Sequence, residues 1–202
     1  MNKAGIRTQL IALLNRNDCT TSIADTFIDQ AVARIQRTLR VPAMEKQSII
    51  TVNTVTPGSV ILPDDFLNIK YFYSDWGMME YRDFATFMQI PQSIGYPQYY
   101  TRVQGELKIK PTPPEGTVIT MVYYGEIPDL ATDTDTNFLT IIAPDLLIYG
   151  ALTFASDYFV DDRKQIFEDR FGAIYGEVEE QARLVDMDQT TMAITPAYYY
   201  PS

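Results

Sequence analysis

The chain has 202 residues, a net charge of −10, no histidine and a single cysteine, Cys19. Hydrophobic residues at 46% and aromatics at 12% supply one domain, or a domain with an insertion, and exclude wholesale disorder. The acidity argues against nucleic-acid and anionic-membrane binding, which draw on clustered Lys and Arg. The missing histidines and thiol partners exclude Ser-His and Cys-His nucleophiles, an internal disulfide and thiolate zinc sites.

The N-terminal third reads as helix. Ile6, Leu10, Leu13 and Leu14 form a short amphipathic stripe, and Asn17 to Thr21 a loop. Thr21 or Ser22 is the expected cap of a longer helix that buries Ile23, Phe27, Ala31, Ile35 and Leu39. Arg34, Arg37 and Arg40 mark its other face, suited to the C-terminal end of the dipole, and Pro42 stops it. This start is too polar for a signal peptide, and no apolar run reaches transmembrane length, so the expectation is a cytoplasmic product made without processing.

From about Gln47 the period changes to two. S-I-I-T-V-N-T-V reads as a strand and T-P-G-S as a turn; V-I-L-P-D-D-F-L leads into the alternating I-K-Y-F-Y-S. D-W-G then forms a hairpin tip and M-M-E-Y the returning half. R-D-F-A-T-F-M-Q-I is a short helix starting at Tyr81 or Asp83 and ending before Pro91. Q-Y-Y-T-R-V and E-L-K-I-K-P flank the two-residue turn Gln104-Gly105, with Leu107 and Ile109 facing in. T-V-I-T-M-V-Y-Y closes the sheet, and D-L-A-T-D-T-D-T-N links it to the last third.

That last third reads as two helices. Pro144 opens the first, which carries Leu147, Ala151, Phe154, Ala155, Tyr158 and Phe159 on its apolar face. Asp161 and Asp162 break it and cap the second, whose packed side is Phe167, Phe171, Ile174, Val178, Ala182 and Val185. Gly150, Gly172 and Gly176 fall inside these helices, where close packing accounts for them. The fold class expected is α+β. Residues 1–45 and 136–188 form a helical bundle, residues 46–135 an inserted β-region, and residues 189–202 an extended C-terminal tail.

No chemistry-bearing constellation stands out. A calcium loop started at Asp133 would place Phe138 and Pro144 where glycine and a bidentate acid are required. Asp157, Asp161, Asp162, Glu168 and Asp169 supply carboxylates for an acid/base pair, but no cleft motif surrounds them and a solvated helix face is the simpler reading. Two aromatic features point to partners instead. Trp76, at the hairpin tip, either folds back on its own hairpin or contacts another subunit. The tail T-T-M-A-I-T-P-A-Y-Y-Y-P-S is either a disordered terminus or a strand that orders on a partner through Ile194, Tyr198, Tyr199 and Tyr200.

The pattern D-T-N-F-L … A-P-D-L-L-I-Y-G-A-L … D-D-R, with L-P-D-D-F-L-N-I-K and P-Q-Y-Y-T-R-V-Q-G-E-L-K-I-K-P-T-P-P-E-G before it, resembles head–tail adaptor (connector) proteins of tailed bacteriophages. It covers most of residues 20–185 and matches the sheet-bearing type similar to tail tubular protein A. The resemblance implies a virion structural protein of the neck, not an enzyme, with no catalytic residue, cofactor or metal. It implies a portal protein as partner, further copies in a dodecameric ring, and a tail or nozzle protein. DNA passes through the channel without specific binding, and no membrane is involved. A tail-tube terminator or other tail protein is the alternative, and a carboxylate-based hydrolase a more distant one.

Overall fold

The computed structural model describes residues 1–53, 55 and 57–188, the last three by backbone alone. The N-terminal elements are α1 (Lys3–Leu14), α2 (Thr21–Thr38) and a 3₁₀ turn (Pro42–Met44). Next come β1 (Glu45–Thr51), β2 (Ser59–Ile61), β3 (Phe66–Ser74), β4 (Gly77–Met78), β5 (Glu80–Tyr81) and α3 (Phe84–Gln89). They are followed by β6 (Tyr99–Val103), β7 (Glu106–Lys110), β8 (Val118–Gly125), α4 (Phe138–Ile142), α5 (Pro144–Phe159) and α6 (Lys164–Asp188). The fold class is α+β. Met1–Ala43 and the described residues from Ile127 onward form a helical unit, and Met44–Glu126 a β unit.

In the helical unit the Asn2 side chain accepts the Gly5 N–H and starts α1, which ends at Asn15 in the left-handed region. Ile6, Leu10 and Leu14 are its buried line; Leu13 is 45% exposed, because it stands about 100° off that i, i+4 row. The Thr20 hydroxyl accepts the Ile23 N–H, so α2 is capped by neither Thr21 nor Ser22 but one residue earlier. Its buried face runs through Ala24, Phe27, Ile28, Ala31 and Ile35, leaving Ile23 half-buried at the margin. Arg40 closes the helix by donating to the Gln36 and Leu39 carbonyls at 2.8 and 2.6 Å.

Beyond the β unit the chain forms one more helix than its sequence indicates. Asn137 and Thr140 cap α4 reciprocally, each side chain satisfying the other's backbone N–H. α5 follows on Pro144 without a side-chain cap, as a first-turn proline permits. Leu146, Leu147, Ile148, Ala151, Leu152 and Ala155 are buried around its whole circumference, because α1, α2 and α6 all pack on it. It ends at Val160, φ 52°, a β-branched residue held in the left-handed region with its N–H on the Ser156 carbonyl. Asp161 then accepts the Arg163 N–H at 2.9 Å and turns the chain into α6.

Phe167 and Phe171 are buried on α6, whereas Ile174 and Val178 are half-buried and Val185 is exposed. Tyr158 is 63% exposed although its ring meets Phe27 edge-on at 5.7 Å, and Phe154 is half-buried. Both lie toward the edge of the α5 packing surface. At Gly150, α2, α5 and α6 meet: a methyl group there would stand 3.1 Å from Phe171 Cε2 and 3.2 Å from Ala31 Cβ. Gly172 and Gly176 do not repeat this role, since a side chain at either would meet open space. Arg34, expected opposite the buried face as a cation for the helix C-terminus, bridges the same junction. Its guanidinium pairs with Glu168, donates to the Thr153 hydroxyl at 3.2 Å and lies 4.1 Å over the Phe171 ring.

The β unit contains two four-stranded sheets, β1-β8-β3-β4 and β2-β7-β6-β5, not one. T-V-I-T-M-V-Y-Y is therefore no closing edge; as β8 it lies between β1 and β3. The M-M-E-Y segment also divides. β4 pairs antiparallel with β3, β5 joins the other sheet parallel to β6, and buried Met79 stands at the crossing. The hairpin from Tyr99 to Lys110 turns at Gln104-Gly105, with Gln104 at φ 55°. Val60, Tyr100, Leu107 and Ile109 share one core with Phe72, Ile119, Met121 and Tyr123 of the other sheet. Asp83 caps α3 by accepting the Thr86 N–H at 3.0 Å.

Candidate interaction surfaces

The acids singled out in the last third are dispersed and bound to their neighbours. Asp157 pairs with Lys164 at 2.6 Å, Asp161 with Arg163 at 2.6 Å, and Glu168 with Arg34. Asp169 accepts from the Gln165 amide at 2.8 Å, and Asp162 is exposed. Hydrogen bonds from the Arg163 side chain and backbone hold the Asp161 carboxyl at a pKa of about 2, and the bond from Arg34 lowers Glu168. A general acid needs the opposite shift, so these carboxylates fasten helix ends and helix junctions.

The Asp133–Asp135 segment is likewise structural. Asp133 pairs with Arg7 at 2.6 Å, and Asp135 accepts from the Thr132 hydroxyl at 2.5 Å and from its N–H at 2.7 Å, which lowers the pKa of both. Lys3 is buried beside it, donating to the Leu130 carbonyl at 2.7 Å. Among the described residues no cluster of three or more His, Cys, Asp and Glu side chains is arranged to hold a metal ion.

Trp76 stands at the β3–β4 turn, and its neighbour is a ring outside its own hairpin. Its ring is 4.7 Å from that of Tyr96, yet it stays 46% exposed. Met78 and Tyr96 beside it in the same unit are each 61% exposed. A further apolar pair on α3 escapes the sequence reading: Phe84 and Met88 are exposed, while Phe87 of the same helix is buried. Their i, i+4 spacing, opposite a single inward aromatic, is the signal that would have found them. Ile194, Tyr198, Tyr199 and Tyr200 lie outside the described residues.

The helical unit carries its own apolar feature near the end of α6. Val41, Pro42, Phe138, Ile142, Val178 and Ala182 line a groove of about 150 Å³, with Val185 at the α6 margin. Ile142 and Val185 are 57% and 42% exposed.

A family model described as SU10 adaptor protein matches residues 1–197. The chain belongs to the SU10 adaptor protein family. A comparison with curated proteins gave no match. As an SU10 adaptor it is a structural adaptor of the phage head–tail type, a virion component that interacts with other head and tail proteins. The family role is that of a structural adaptor. No helix among its described residues is long and apolar enough to cross a membrane.

Proposed function

We propose that the chain joins portal to tail in the virion neck, as one subunit of a dodecameric ring around the DNA channel. It would be of the sheet-bearing type similar to tail tubular protein A. The adaptor match over residues 1–197 carries this reading. The β unit supports it, because Trp76, Met78, Phe84, Met88 and Tyr96 remain at the surface of the single chain, where a partner would bury them. Partner contacts fall to Trp76, Ile194, Tyr198, Tyr199 and Tyr200; portal is the first partner and a tail or nozzle protein the second. The net charge of −10 gives copies a mutual repulsion that portal must overcome, and gives the channel wall a sign that DNA does not adhere to.

Native mass measurement and negative-stain imaging, with and without portal, test the proposal. The expected outcome is a monomer alone at physiological salt and a ring when portal is added. A stable ring without any partner removes the templating part, and absence of portal binding removes the whole. Capture by tail tube but not by portal makes the chain a tail-tube terminator instead.

A further inference from the structure

We propose that the open edge of β1 is a docking strip for an extended segment of another protein, which adds to the β1-β8-β3-β4 sheet as a fifth strand. The strip follows from the β unit alone; the identity of the strand's donor rests on the adaptor role proposed above.

The edge is long and regular. β1 pairs with β8 through seven consecutive residues, Glu45 to Thr51, with no shift of register. The other strands that end a sheet, β2, β4 and β5, are only two or three residues long. The Val52 N–H donates to the Thr117 carbonyl at 2.9 Å, which fixes the phase of the ladder. Along an antiparallel edge strand, successive residues turn their N–H and C=O groups toward the partner strand and away from it in alternation. Lys46, Ser48 and Ile50 therefore face β8 with Val52, whereas Gln47, Ile49 and Thr51 aim their backbone groups off the sheet. Among the described residues nothing pairs with those outward groups. The three side chains are exposed as well, Ile49 by 66%, while Ile50 between them packs on the core.

Natural edges of this length are guarded by proline, by a bulge or by a charge held over the edge. β1 has neither proline nor bulge, and its two charged residues are drawn back onto their own unit. Glu45 pairs with Lys70 at 2.7 Å, and Lys46 with Asp65 at 2.5 Å.

The chemistry of the strip names its occupant. Donors and acceptors that repeat at every second residue, over about 13 Å from Gln47 to Thr51, are satisfied together only by another extended backbone. Ile49 favours a β-branched or aromatic residue directly opposite, and Gln47 and Thr51 favour polar ones. Of a second copy's sheet-ending strands only β1 itself is long enough to cover the strip. A β1–β1 pair closes as a two-fold dimer and uses up both strips. An adaptor that interacts with other head and tail proteins needs the strip free, so one of those proteins supplies the strand.

Residue-resolved hydrogen exchange on the full chain tests this, alone and with portal or a tail protein added separately. Alone, the Lys46, Ser48 and Ile50 amides should be protected, and those of Gln47, Ile49 and Thr51 should exchange fast. In one of the two complexes the second set should slow at least about tenfold, as newly bonded amides do. Ile49→Pro removes one outward donor and leaves the β8 ladder intact, so circular dichroism should be unchanged. Its affinity for that partner should fall about tenfold or more, while Ile49→Val keeps affinity within about twofold. If the proline variant does not fold, exchange in the unaltered chain decides. Binding that leaves the three amides fast, or that Ile49→Pro does not weaken, overturns strand addition and leaves the adaptor role standing. Binding to neither protein removes both. Protection of the outward amides in the chain alone, with a doubled mass, gives the strip to a second copy and overturns the proposal.

Discussion

In the helical unit Ile6, Leu10, Ala24, Ile28, Ala31, Ile35, Leu146, Leu147, Ala151 and Leu152 retain no exposed surface, whereas in the β unit Ile119 and Met121 alone among the described hydrophobic residues reach that state. The reason is geometric. α5 has neighbours on three sides and buries its whole circumference, while each small sheet of the β unit turns only one face to the common core. The longest-range ion pairs lie in the helical unit, where Arg34–Glu168 and Arg7–Asp133 span 134 and 126 residues, against 19 and 25 for Lys46–Asp65 and Lys70–Glu45 in the β unit. Among the described residues the exposed rings accordingly gather in the β unit, at Tyr71, Trp76, Tyr81, Phe84 and Tyr96, against Tyr158 in the helical unit, and on the function proposed that exposure assigns recognition to the β unit.

The most forceful way to break this contrast is Phe171→Ala. Phe171 packs on Gly150 beneath Arg34, and its truncation should cost about 3–5 kcal/mol by denaturant midpoint. A loss under about 1 kcal/mol would remove Phe171 from the core. Gly150→Val should cost about 1–3 kcal/mol, because branched carbons would enter space held by Phe171 and Ala31; a neutral result would show that the junction can spread.

A titration probes the α5–α6 turn. Asp161 is held at about 2 in the fold against 3.8 when free, so its contact with Arg163 stabilises fully above pH 3.8 and is lost as the pH falls toward 2. Discounted for the exposed Arg163 side chain, the contribution is about 1 kcal/mol, and Asp161→Asn should flatten acid unfolding over that window. Gly172→Ala and Gly176→Ala, in open space on α6, should each gain about 0.5–1 kcal/mol. Trp76→Ala should move stability by no more than about 0.5 kcal/mol while weakening portal capture, and a larger unfolding effect would make Trp76 structural.

What the sequence reveals of this fold is what neighbouring residues decide. The Pro144 start, the Gln104-Gly105 turn and an Asp83 cap each rest on a few adjacent positions. Strand partners do not. That β8 pairs with β1, more than sixty residues earlier, and that Glu80–Tyr81 leaves its hairpin for the second sheet, depends on a core assembled from distant segments. Gly150, Gly172 and Gly176 carry identical local signals, and only the facing side chains separate a close junction from empty space. Among candidate contacts, Trp76 is legible as a lone tryptophan at a tip. Phe84 and Met88 are legible only as an i, i+4 pair, and which side of their short helix faces out is decided by the burial of Phe87.

The register of β1 on β8 has one more consequence. Glu45 lies opposite Tyr124, so the first and last strands of the β unit enter and leave as antiparallel neighbours, about 5 Å apart. A segment whose two ends meet in this way behaves as a detachable module: it can be exchanged for another hairpin-ended insert, or for a tight loop between Ala43 and Ile127, without lengthening the path the surrounding helices must span. Exchanges at this junction can therefore accumulate while the helical unit keeps its own packing.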